Sequence, residues 1–322
     1  MKGDKRTPDH PAVSLDGCKP LVVPVISAAG GVGRSTVAAQ LAVALHQRTT
    51  DSRNRAVAIC DCLPRCASPW PGWLDHTAER GTSWLAAAAA ATATATADQF
   101  KREIPRSTSA IEMPSGKPLW VLTDTGPLAP SFTGADPGPA AWEQVLRYVR
   151  AAVIDADPLE GFRLARQQAQ GQLSTAAAWM ARPSARTAAV WVTDSSPSGM
   201  ARTLEAMTVA ESCGLSMQQV VVAISDCRGY GWMPRSRSRR MLLADRVGAI
   251  VELGHDAALR RDDWPCRGPE QLGRRDVAAL VTAVLAAAES PAVSPTPIKD
   301  PAPAERSSVH VTSTARAVAA SG

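Results

Sequence analysis

No stretch of about eighteen uncharged apolar residues occurs in this chain of 322 residues, so no membrane-spanning helix is expected. Residues 1–18 lack an apolar centre and are charged and proline-bearing, so a secretory signal is not expected there. The seven cysteines are odd in number and irregularly spaced, so a disulfide framework is not expected. Cys60, Cys62 and Cys66 also miss the C-x-x-C spacing of a zinc half-site, and no second cluster follows. The five histidines, His46, His76 and His255 among them, show no nucleophile-and-base pattern, so a hydrolytic triad is not supported. There are no internal repeats. The net charge of +5 is too mild to imply nucleic acid by itself. A reducing cytoplasm is the expected compartment.

What is present is ample apolar material. Hydrophobic residues make up 45% of the chain, enough for one large α/β domain or two small ones. Strand-like apolar runs at 21–27, 56–61, 119–124, 150–155, 188–193, 219–225 and 248–252 alternate with helical patterns at 36–47, 139–149, 159–180, 200–213, 237–246 and 271–288. That alternation predicts an α/β fold: a doubly wound, mostly parallel sheet with helices on both faces. Pro24 is unfavourable inside a central strand, so the first strand is expected to begin effectively there. Residues 64–118 predict a mobile loop and an alanine-rich helix, an insertion in a domain spanning 19–289. Residues 1–18 and 290–322 read as disordered tails, the second rich in Pro, Ser and Ala.

The most informative segment is Ser27-Ala28-Ala29-Gly30-Gly31-Val32-Gly33-Arg34-Ser35-Thr36, between an apolar run and a helical pattern. A strand, a glycine loop and a helix N-terminus together cradle a phosphate. Glycines let backbone N–H groups turn around the anion, and the helix dipole adds positive potential. Ser35 stands where a hydroxyl would ligate Mg²⁺. The standard loop reads G-x-x-x-x-G-K-[ST]; here Ala28 replaces the first glycine and Arg34 the lysine. Arginine greatly outnumbers lysine throughout the chain, which makes that replacement somewhat less informative. Further on, Asp61 ends the strand of Ala56-Val57-Ala58-Ile59-Cys60, and Asp155 ends that of Ala151-Ala152-Val153-Ile154. Such a carboxylate, at a parallel strand's carboxyl edge, can hold Mg²⁺ through water.

With these flanks the loop resembles the deviant Walker A loop of the ParA/MinD family of P-loop ATPases. Gly30, Gly31, Val32, Gly33, Ser35 and Thr36 stand as in that family. The family's signature lysine, which reaches the partner subunit's nucleotide, falls on Ala29, so both lysines are missing. Asp61-Cys62-Leu63-Pro64 is similar to the family's D-x-D-P, with Leu63 in place of the second aspartate. Asp155 matches the Walker B position, and Asp157 stands where proline is frequent. The segment from Gly248 through Asp256 to Leu259 resembles the late loop against the nucleotide base. Ser225-Asp226 stands where that family offers an asparagine. The likeness covers about residues 20–289.

The resemblance implies ATP or ADP with Mg²⁺ at Gly30, Gly31, Val32, Gly33, Arg34, Ser35 and Thr36, with Ser225 and Asp256 toward the base. It assigns Ser35 and Asp155 to the metal and Asp61 and Asp155 to catalysis. With two cations and a carboxylate missing, hydrolysis is expected to be weak or absent, since phosphoryl transfer depends on positioning and charge neutralisation. The function implied is a positioning or regulatory factor for DNA segregation, conjugation, pilus or secretion machinery, with protein partners and a possible homodimer. Two alternatives stay open: an active DNA-binding partition ATPase, and a nucleotide-free scaffold. Arg235, Arg237, Arg239 and Arg240, after Tyr230 and Trp232, are candidates for non-specific DNA contact. The C-terminal stretch is only weakly amphipathic, so peripheral membrane contact is not expected.

Overall fold

The computed structural model describes residues 19–48, 56–63, 68–74, 108–113, 116, 118–123, 146, 149–156, 180, 184–212, 215–226, 234–255 and 275–290. Both tails, most of 64–118, and the bulk of the helical patterns at 139–149 and 159–180 lie outside the described residues. So do Asp157, Asp256, Tyr230 and Trp232.

The strands are β1 (Leu21–Ser27), β2 (Ala56–Asp61), β3 (Thr108–Ile111), β4 (Leu119–Leu122), β5 (Val149–Asp155), β6 (Arg186–Thr187), β7 (Ala189–Asp194), β8 (Val220–Ser225) and β9 (Ala249–Leu253). The helices are α1 (Arg34–Gln47), α2 (Trp70–Trp73), α3 (Pro197–Ser212), α4 (Pro234–Ala244) and α5 (Arg275–Glu289). They build one sheet in the order β3-β4-β2-β5-β1-β7-β8-β9, with the short β6 also on β1. All pairings are parallel except β3 with β4. This is the doubly wound, mostly parallel sheet expected from the alternating pattern.

Burial on both faces makes the central strands continuous apolar runs, as parallel sheets require. β1 is buried along its whole length. Its odd positions Leu21, Val23 and Val25 join a cluster with α1 and α5. Ile26 faces the other side with Trp191, Val222 and the α3 residues Met200 and Met207. Thus helices cover both faces. α1 is apolar from Val37 to Leu45 except for Gln40, and the whole stretch is buried. α5 buries Val277, Leu280, Val281, Val284 and Leu285, the one-sided spacing of an amphipathic helix. Each such Leu or Val contributes about 1.5–3 kcal/mol by leaving water.

Pro24 does not mark the strand's beginning, which is at Leu21. The Val22 carbonyl accepts the Ala188 N–H, so two residues on the Pro24 nitrogen faces the same neighbour. There the ladder is interrupted between β6 and β7, since proline has no N–H to donate. β3 and α2 were not expected within 64–118. Thr108-Ser109-Ala110-Ile111 carries one large apolar side chain, too few for a strand pattern.

Gly248 precedes β9 at a close approach. A Cβ there would lie 2.3 Å from the Gln218 carbonyl oxygen. Its N–H donates to the Val220 carbonyl at 3.0 Å, which draws the two segments together.

Candidate functional site

β1, β5 and β2 are adjacent, and their carboxyl ends meet the loop that leads into α1. In open parallel sheets this edge, where the strand order reverses, is the ligand crevice. Within the loop Gly31 and Gly33 have φ of 73° and 82°, left-handed values that favour glycine. Gly33 precedes α1 and offers no side-chain cap, and the first turn holds no acid. The positive end of α1 therefore faces the loop without an internal anion. Ser27 Oγ donates to the Ala29 carbonyl at 2.9 Å and tightens the turn out of β1. Gly30 and Gly31 are exposed, Val32 is buried in the core, and Ser35 and Thr36 are half-buried in the first turn of α1.

Arg34 turns inward. Its Nε donates to Asp155 Oδ1 at 2.8 Å, with the arginine 8% exposed and the aspartate 0%. The other oxygen, Oδ2, accepts the indole N–H of Trp70 at 2.9 Å. Trp70 is fully buried and packs edge-on against Trp73, ring centroids 5.0 Å apart. Asp155 therefore has a protein donor on each oxygen.

Asp61 pairs in register with Asp155 on the neighbouring strand and is equally buried. Its Oδ1 accepts the Leu63 N–H at 3.0 Å, and its Oδ2 accepts Ser68 Oγ at 2.6 Å and Thr123 Oγ1 at 2.7 Å. Burial, then the Asp155 charge, push the Asp61 carboxyl up to about 7, while the Ser68, Thr123 and Leu63 hydrogen bonds pull it back. Cys60, behind it in the core, has its thiol raised by burial and then by the Asp61 charge, so it is inert. Leu63 is 1% exposed and belongs to the interior rather than to the crevice.

The remaining candidates are more scattered. Ser225 ends β8, pairing with Asp194 of β7 and Leu253 of β9. On α4, Arg239 donates to the Pro197 carbonyl at the start of α3, and Arg240 pairs with Glu252 at 2.8 Å. Arg237 is exposed. The Arg235 side chain lies outside the described residues. Sequence reasoning missed Trp70, Ser68 and Thr123. Pro69-Trp70-Pro71-Gly72-Trp73 is conspicuous in the sequence, but nothing in its spacing points to Asp155.

The glycine backbone and the uncapped α1 N-terminus fit phosphate oxygens. The arrangement of Asp155 does not fit a Mg²⁺ ligand, because a guanidinium occupies one oxygen and an indole donor the other. Bound Mg²⁺ would neutralise phosphate charge.

No protein-family model matches the chain, and no curated protein matches it. Solved structures do. A ParA family ATPase from Chlorobium tepidum TLS superposes with a TM-score of 0.52 at 11% identity, covering 84% of this chain and 98% of that one. A plasmid partition protein from Borrelia burgdorferi B31, bound to AMPPNP, gives 0.51 at 12% identity, covering 84% and 98%. The septum site-determining protein MinD from Pyrococcus horikoshii OT3, complexed with Mg-ADP, gives 0.44 at 16%, covering 83% and 94%. The chain has the ParA/MinD-like P-loop NTPase fold.

Proposed function

We propose that the chain is a nucleotide-binding ParA/MinD-like protein that has lost most or all ATP hydrolysis. ATP or ADP places its phosphates at Gly30–Thr36 and works as a conformational ligand. The protein then positions or regulates a larger machine of DNA segregation, conjugation, pilus assembly or secretion, in the cytoplasm and as a possible homodimer. The observation that carries this reading is Arg34 folded onto Asp155 beside a loop that keeps two left-handed glycines, Gly31 and Gly33. The cradle supports binding. The carboxylate that would serve the reaction is held in an ion pair, which supports loss of turnover.

An active DNA-binding partition ATPase is less well supported. Arg239 and Arg240 are engaged within the protein, which leaves Arg237 as the exposed arginine among the described candidates. No helix among the described residues is long and apolar enough to cross a membrane.

Calorimetric titration of ATP and of ADP into wild type and Gly33→Val tests the reading. Gly33 has φ of 82°, which valine resists, so the variant should lose the cradle and bind at least about tenfold more weakly. Phosphate release from ATP should stay at background with and without duplex DNA. Binding that is absent in wild type would favour the scaffold, and brisk DNA-stimulated turnover would favour the partition ATPase.

A further inference from the structure

We propose that Arg34 takes the place of the metal ion in this site, so that nucleotide binds without a divalent cation. This rests on the nucleotide reading above and goes beyond it. Two observations meet here. Asp155 is already neutralised, by a guanidinium at 2.8 Å with a second donor on its other oxygen at 2.9 Å. Asp61, the neighbouring carboxylate, has both oxygens covered by Leu63, Ser68 and Thr123. A divalent cation would have to displace a buried arginine to reach Asp155, and the Ser68 and Thr123 hydroxyls or the Leu63 N–H to reach Asp61.

The same arginine is well placed to serve phosphate. It directly follows Gly33 and opens α1, so its backbone is part of the cradle. A guanidinium has five N–H donors in a planar fork. Among the described residues only Nε has a partner, Asp155. The terminal nitrogens remain for an anion, and the fork matches phosphate oxygens two at a time. One side chain thus holds the carboxylate that would otherwise bind the metal and supplies the positive charge the metal would bring. A lysine could not do both, since its ammonium is a single point charge.

The test is calorimetric titration of ADP into the full chain in millimolar Mg²⁺ and, separately, in EDTA. ADP is the probe because it depends less on prior metal complexation than ATP. Wild type should show dissociation constants within about threefold of each other in the two buffers. Arg34→Ala should bind at least about tenfold more weakly in EDTA. Because that variant also strands Asp155, Arg34→Lys is run beside it, with circular dichroism confirming the fold of both. Arg34→Lys should regain a dependence on Mg²⁺ of about tenfold. A wild-type affinity that falls tenfold or more in EDTA would overturn the metal-free inference and leave nucleotide binding standing. Arg34→Ala binding ADP as tightly as wild type in EDTA would overturn it equally. Absence of heat in both buffers, with no retention in equilibrium dialysis, would overturn both readings.

Discussion

Replacing Arg34 with alanine should cost the fold more than any surface change. The aspartate it holds is 0% exposed, and the arginine is itself 8% exposed. Without the guanidinium, Asp155 keeps one described donor, the Trp70 indole. Removing one partner of a buried pair leaves an uncompensated charge and costs about 3–5 kcal/mol. Total stabilities run about 5–15 kcal/mol, so the variant would approach the unfolding threshold. For a domain of this size the melting temperature should fall by about 6–20 °C. Asp155→Asn should cost less, about 1–3 kcal/mol, because the stranded arginine can carry its head to water. The double variant Arg34→Ala/Asp155→Asn should recover most of the loss, with a coupling of at least about 2 kcal/mol. Urea unfolding followed by circular dichroism measures all four proteins, with an unchanged m-value showing that the transition is comparable. An Arg34→Ala cost within about 0.5 kcal/mol of zero would refute the buried pair, since surface substitutions behave that way.

Other outcomes follow from the same geometry. Asp61 is pushed up to about 7 from 3.8, so the folded protein keeps a proton that the unfolded chain has already lost. The stability this contributes is full below about pH 4 and is lost as pH rises to about 7. The difference in urea midpoint between wild type and Asp61→Asn should therefore shift in favour of the variant from pH 5 to pH 8; a pH-independent difference would contradict it. Trp70→Phe removes the second donor to Asp155 and should cost about 1.5–3 kcal/mol in the same assay. Gly248→Ala drives a Cβ toward the Gln218 carbonyl and should destabilise by about 1–3 kcal/mol, read as a lowered melting temperature.

Much of the fold was legible because each central strand is an unbroken apolar run ending at a polar edge. Seven expected strands stand within a residue or two of their positions. Glycines at two left-handed positions made the cradle legible as well. What stayed hidden depends on tertiary contact. The Arg34–Asp155 pair spans 121 residues and the Trp70–Asp155 bond 85, and no local pattern encodes either. β3 is held by its antiparallel register against β4 rather than by its own composition. Leu63 was legible as a lost carboxylate; its burial and the bond from its backbone N–H to Asp61 were not, because both depend on how the turn packs.

The most direct measurement is hydrogen exchange by mass spectrometry on the full chain, with and without ADP, in EDTA. The peptide covering residues 27–37 contains the cradle N–H groups and the first turn of α1. ADP should slow exchange in that peptide by about tenfold or more, with smaller protection in peptides spanning 56–74. Unchanged exchange across 27–37 at saturating ADP would contradict a nucleotide seated on this loop.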